Sequence, residues 1–191
     1  TALDTQTTSV FHLAAIVSSQ AEADFDLGMR INIDAFRLLL ETCRRLGHCP
    51  KVLFTSSVAV YGGQLPPVVQ DDTALNPKSS YGIQKAIGEF LLSDFSRKGF
   101  VDGRGLRLPT ISVRPGKPNK AASGFFSNII REPLNGHEAV LPVTDDVRHW
   151  HASPRSAVGF LIHAATMDLA AMGARRNLSM PGISVTVGEQ I

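Results

Sequence analysis

The feature that most restricts this chain is its alternation of short apolar runs with long helical patterns. Ser9 to Ala15 (SVFHLAA) and Lys51 to Ser57 (KVLFTSS) are the kind of run found in strands buried on both faces. Between them, Asp24 to Arg45 carries Leu27, Ile31, Leu38, Leu39 and Cys43 at helical spacing, and Gly47 supplies a stop. Ser79 to Lys98 predicts a second long helix ended by Gly99. Gly105 to Val113 predicts a third strand, interrupted by Pro109, which cannot donate to a central ladder. Strands that alternate with helices of this length form a doubly wound parallel sheet, so the predicted class is α/β. Ligands of such sheets sit beyond the carboxyl ends of the strands. Here those ends are Ala15 to Gln20, Ser57 and Pro109-Thr110.

The composition shifts after Arg114-Pro115-Gly116, which divides the chain into residues 1–115 and 116–191. In the second part, Lys117 to Ser123 reads as a loop, Phe125 to Leu134 as a helix, and Ala139 to Val143 as a short strand. Ser153 to Met172 reads as a helix with Ser153 as cap and Pro154 in its first position. Leu178 to Pro181 is a strand candidate, and a helix is expected from Thr186 onward.

Composition narrows the function classes. A net charge of +2 gives no basic face of the kind a nucleic-acid binder needs. No apolar run approaches the ~20 residues that span a bilayer. Neither a signal-peptide pattern nor a His/Cys/Asp/Glu cluster with metal-ligand spacing is present, so no metal is expected. Cys43 and Cys49 read as two free thiols of a reducing, cytoplasmic compartment.

The chemistry-bearing pattern is Tyr81-Gly-Ile-Gln-Lys85. Residues four apart on a helix share a face, and an ammonium beside a phenol favours the phenolate. A tyrosine lowered in this way can act as a general base or acid. Ser57, at the end of a buried strand, could hold a substrate oxygen beside that phenol. Tyr61 is read as a packing residue, His12 as a satisfied strand residue, and Asp71-Asp72 as a solvated loop.

Several stretches together resemble a known family. They are His12-Leu13-Ala14-Ala15, the helix containing Asn32, Thr55 to Gly62, Ser80 to Lys85, and Leu106 to Thr110. In that order and spacing they resemble the extended short-chain dehydrogenases/reductases, the NAD-dependent epimerase/dehydratase family. The resemblance implies a Rossmann-like sheet with a small C-terminal substrate-binding part, some elements of which return to the main sheet. It implies that Ser57 orients the substrate oxygen, that Tyr81 transfers the proton, and that Lys85 binds the nicotinamide ribose and lowers the Tyr81 pKa. Asn32 would support the site. Ala14 and Ala15 would leave room for the cofactor, with Leu108, Pro109 and Thr110 near the nicotinamide. The expected cofactor is NAD, with NADP left open. The family's glycine-rich GxxGxxG unit, which holds the pyrophosphate, is absent from this chain. The resemblance therefore implies that the chain begins just before the fourth strand of the usual sheet.

Family dehydratases carry an Asp-Glu pair where this chain has Val58-Ala59, so no extra acid–base pair for water elimination is present. Ile16-Val17-Ser18 and Arg107-Leu108-Pro109 resemble short-chain L-threonine dehydrogenases, which act on a small carboxylate. The implied reaction is oxidation of the C2 hydroxyl of a small sugar acid. A nucleotide-sugar 4-epimerase and a non-catalytic cofactor sensor or scaffold are the alternatives. A carboxylate needs donors, and Ser18, Asn119 and Arg148 are the candidates, with Ser123 in a loop that could close over substrate. The two long helices would permit a homodimer.

Overall fold

The structure is a computed structural model that describes residues 3–116 and 121–191. The main sheet joins β1 (Ser9–His12), β2 (Lys51–Ser57), β3 (Asp102–Leu108) and β6 (Asn177–Ser179), in that order and all parallel. A second sheet pairs β4 (Thr110–Ile111) parallel with β5 (Arg148–Ala152), which runs antiparallel to β7 (Ile183–Thr186). The register Ser57↔Leu108 brings the carboxyl ends of β2 and β3 level. Residues 177–179 thus return from the second part of the chain to the edge of the main sheet.

The helices are α1 (Ser18–Ala23), α2 (Phe25–Gly28), α3 (Ala35–Leu46), α4 (Ser80–Arg97), α5 (Phe125–Leu134) and α6 (Pro154–Thr166). Side chains alternate across a strand, so β2 feeds two cores. Val52 and Phe54 pack with Phe36 and Leu40 of α3 and Leu92 of α4. Leu53 faces the other way, onto Leu106, Met180 and Ala164 of α6. The strand β3 looks polar in sequence (DGRGLRL) yet is buried, because its two arginines are paired: Arg104 with Asp102 and Arg107 with Glu89, both at 2.7 Å.

Several expectations change. The region Asp24 to Arg45 is not one regular helix. It contains a π-helical turn, Met29–Asp34, between α2 and α3. Helix α1 was not anticipated. Ala139 to Val143 forms no strand: Pro142 lacks an N–H, and Ala139, Leu141 and Val143 instead pack irregularly on Phe126, Ile129 and Val187. The strand of that region is β5, whose His149 and His151 disguise it as polar. Thr186 ends the strand Ile183–Thr186 and is followed by a turn, not by the helix expected from it onward. The helix after Ser153 ends at Thr166, and a separate 3₁₀ turn covers Leu169–Met172. The helix stops read at Gly47 and Gly99 hold, with φ of 74° and 72°. Cys43 is buried and Cys49 exposed, both free. Among the described residues, no helix is long and apolar enough to cross a membrane.

Candidate active site

The site is built where β2 ends and α4 begins. After Ser57 the chain makes a 3₁₀ turn, Val58–Val60, in which the Ser57 hydroxyl accepts from the Ala59 N–H at 3.1 Å. Helix α4 starts on the Ser79 cap, whose hydroxyl accepts from the Gly82 N–H at 3.2 Å. The turn and the helix touch at Gly82, where a Cβ would lie 2.2 Å from the Ala59 carbonyl oxygen. This contact holds the start of α4 against the turn, and Tyr81 and Ser57 line the same cavity.

Lys85, one turn further along α4, is buried. Its Nζ donates to the Thr55 carbonyl at 2.7 Å and lies 5.6 Å from the centre of the Tyr81 ring. An ammonium has three donors. The other two have no protein acceptor among the described residues. Burial lowers Lys85 to about 8. Burial also pushes the Tyr81 phenol above its ordinary value, against a smaller opposite pull from Ser57. The lowered phenol expected from the Tyr-Lys spacing is thus not the resting state, because desolvation outweighs the pull of Ser57. His12, stacked on Phe36 at 4.7 Å, is held down to about 4 by burial and then by the Lys85 charge. It adds no second positive charge beneath the site at neutral pH.

Ser57, Tyr81 and Lys85 face a cavity of about 410 Å³. Ala15, Leu108 and Pro109 form a largely apolar part of its wall, suited to a flat ring. Thr110 also lines it, and its hydroxyl is 2.7 Å from His149 Nε2. Burial, then the neighbouring His151, lowers His149 to about 4. Ser18 and Ser123 line the cavity, and the Ser18 hydroxyl accepts from the Ala122 N–H at 3.0 Å. That bond ties the start of α1 to the segment before α5.

Two expected residues lie elsewhere. Ala14 is exposed and outside the cavity wall. Arg148 is exposed on β5, where it pairs with Glu189 at 3.3 Å and donates to the Ser184 carbonyl at 2.8 Å. Asn119 falls outside the described residues. Asn32 acts at one remove from the cavity. The π-helical turn points its buried amide at the chain after β1, where Oδ1 accepts from the Ile16 N–H at 3.0 Å and Nδ2 donates to Gln84 Oε1 at 2.7 Å. It therefore clamps the cavity's first loop to α4.

A second buried network was not legible beforehand. Glu89 of α4 accepts from Arg107 Nη2 at 2.7 Å and from the Ser56 hydroxyl at 2.5 Å. Arg107 Nη1 donates to the Tyr61 hydroxyl at 2.6 Å and to the Asp71 carbonyl at 3.1 Å. Tyr61 is therefore a polar anchor as well as a packing residue. Asp71 is not merely solvated, since its carboxylate accepts from the Ser179 N–H at 2.6 Å. Ser56 and Arg107 directly precede Ser57 and Leu108, so this network fixes two strand ends that form the cavity wall. Arg114, also on that wall, was missed as well. The only available signal was its place just after a strand's carboxyl end.

Comparison with known proteins agrees with the fold and the motif order. The chain is 68% identical over 190 residues to the D-erythronate dehydrogenase of Cupriavidus necator, covering 100% of this chain and 59% of that protein. It is 50% identical over 186 residues to the D-erythronate dehydrogenase of Haemophilus influenzae, covering 97% of this chain and 59% of that one. The chain thus spans about three fifths of the length of these relatives. A crystal structure described as the nucleoside-diphosphate-sugar epimerase from Agrobacterium tumefaciens is 63% identical, with a TM-score of 0.90 over 95% of this chain and 54% of that one. Residues 1–153 match the NAD dependent epimerase/dehydratase family, and the chain belongs to that family.

Proposed function

We propose that this chain carries the catalytic part of an NAD-dependent dehydrogenase that oxidises the C2 hydroxyl of a small sugar acid, D-erythronate, to the 2-keto acid. The observation that carries the reading is the meeting of the Ser57 and Tyr81 hydroxyls and the Lys85 ammonium on one cavity. The two relatives named D-erythronate dehydrogenase supply the substrate.

The residues fit a nicotinamide nucleotide. The two unshared Lys85 donors suit ribose hydroxyls, and the Ala15, Leu108 and Pro109 wall suits the ring. NAD held there would supply the acceptor for the hydride from C2. Ser57 holds the C2 oxygen and steadies the charge that develops on it. Tyr81, once ionised, takes the hydroxyl proton. The fixed Lys85 charge stabilises that phenolate and lowers the barrier to forming it. Asn32 holds the Ile16 loop in place around the reacting groups.

The test is NADH formation by the purified full-length protein with D-erythronate, L-threonine and a UDP-sugar in parallel. NADH formation with D-erythronate alone, abolished by Tyr81→Phe, supports the reading. No NADH formation with D-erythronate refutes it. The Agrobacterium structure's description makes a nucleotide-sugar 4-epimerase the second reading. An epimerase returns its hydride and gives no net NADH, so the same assay separates the two. A cofactor sensor would bind NAD equally well with Tyr81→Phe.

We also infer a homodimer through the long helices. Leu38 of α3 and Ile83, Ile87 and Phe90 of α4 are exposed, Phe90 by 67%, as is Phe25 on the short α2.

A further inference from the structure

We propose that Arg114 is the residue that recognises the substrate's carboxylate and so sets the site's preference for small hydroxy acids over neutral polyols. The inference rests on the dehydrogenase reading above and deepens it.

The protein pairs its buried and half-buried guanidinium groups with carboxylates. Arg104, Arg107 and Arg131 are each tied to a carboxylate at 2.7 Å: Asp102, Glu89 and Glu132. Arg114 is the exception. Its Nη2 is buried and has no hydrogen-bond partner, and it makes no ion pair among the described residues. A buried donor left unmade costs about 1–3 kcal/mol, more when the group is charged. Such a group in a native fold calls for an explanation.

Its position supplies one. Arg114 lines the same cavity as Ser57 and Tyr81. Its backbone is fixed at both polar groups by α5: the N–H donates to the Ser127 hydroxyl at 3.1 Å, and the carbonyl accepts from Arg131 Nη1 at 2.7 Å. The backbone is therefore a rigid support, and Nη2, shielded from the open cavity, would meet an anion there by a turn of the side chain. Burial, and then the charge of Arg131, both act against its ionised form. An anion entering the cavity would relieve both penalties at once. Guanidinium presents a planar fork that matches a carboxylate in bidentate fashion.

Phosphate would satisfy the same donors. Two observations favour carboxylate. The cavity of about 410 Å³ must accept the nicotinamide ring as well as the substrate. The reacting hydroxyls and Arg114 also share that one small space, so the anion must lie close to the oxidised carbon. In a 2-hydroxy acid the carboxylate is bonded directly to that carbon. In a nucleoside-diphosphate sugar the phosphates lie beyond the ring and demand far more room.

The test compares wild-type full-length protein with Arg114→Met and Arg114→Lys. Steady-state rates are measured with D-erythronate. Calorimetric binding of D-erythronate, erythritol and UDP-glucose is measured in the presence of NAD and on a Tyr81→Phe background. Losing a charged hydrogen-bonded pair corresponds to roughly a 10- to 150-fold change. The KM for D-erythronate should rise by that factor in Arg114→Met, with a smaller change in kcat and an unchanged KM for NAD. Arg114→Lys should recover part of the loss. Erythritol, which lacks the carboxylate, should bind equally weakly to all three forms. A KM in Arg114→Met within about twofold of wild type overturns the inference. So does loss of UDP-glucose binding in Arg114→Met with D-erythronate binding unchanged, which would assign the residue to phosphate. If wild-type protein does not oxidise D-erythronate, the dehydrogenase reading fails by itself. Calorimetry with D-erythronate and L-threonine then decides on Arg114: carboxylate binding lost in Arg114→Met sustains it, and equal or absent binding in wild type and variant overturns it.

Discussion

Replacing Glu89 with glutamine removes the carboxylate paired with Arg107 while keeping nearly the same volume. Both side chains are buried, at 2% and 6% exposure, and three hydrogen bonds from Arg107 and one from Ser56 end on the carboxylate. Glutamine can keep some of these contacts but leaves the guanidinium charge without its counter-charge. Breaking a buried pair on one side costs about 3–5 kcal/mol, a large part of the roughly 5–15 kcal/mol that holds a domain folded. For a protein of this size or larger, each kcal/mol lowers Tm by roughly 2–4 °C, so a fall of about 6–20 °C is expected. Urea unfolding of the full-length protein at constant m-value is the assay. The double variant Glu89→Met with Arg107→Met should be less destabilised than the two single losses added together, because the second change removes the orphaned charge. A loss below about 1 kcal/mol in Glu89→Gln, or simple additivity in the double variant, refutes the claim that this pair anchors the strand ends.

The remaining predictions concern pH and assembly. His12 falls from 6.5 in the unfolded chain to about 4 in the fold, so the unfolded state binds more protons between those values, and stability is lost as pH drops through them. The loss is about 3 kcal/mol, and His12→Phe should flatten the dependence in denaturation run at pH 7 and 4.5; equal slopes would sink the assignment. Lys85 has the same sign at the other end: its value of about 8 against 10.5 makes stability rise between those pH values, a rise that Lys85→Met should remove. Phe90→Glu should shift the full-length protein from dimer to monomer in light scattering while the monomer stays folded, since Phe90 is largely exposed within one chain. A dimer that survives the charge rules out this helix face as the interface.

The parts of the fold legible in the sequence are those governed by local rules. Lys51–Ser57 was bounded correctly because its apolar run ends in small hydroxyl residues. Helix α4 was bounded by its Ser79 cap and by Gly99, both local signals. The proximity of Ser57 to Tyr81 follows from a strand end and a helix start joined at Gly82. What escaped depends on partners distant in sequence. The Arg107–Glu89 pair exists only once β3 and α4 are packed together. Arg148 looked available until β7 was seen to bring Glu189 beside it. Arg114 sits in a loop, and its place just after a strand's carboxyl end was a weak signal that it lines the cavity.

The π-helical turn at Met29–Asp34 carries a consequence for chain length. A π turn holds about one residue more than an α turn, and one residue corresponds to about 100° of helix rotation. Deleting a single residue between Met29 and Asp34 would let the segment relax into continuous α-helix. Everything N-terminal to the deletion would then swing by that angle relative to α3. Asn32 could no longer face Ile16 and Gln84 together, although every other side chain remained. At this turn the length of the chain is itself part of the site, and a one-residue deletion should be harder to tolerate than most substitutions nearby.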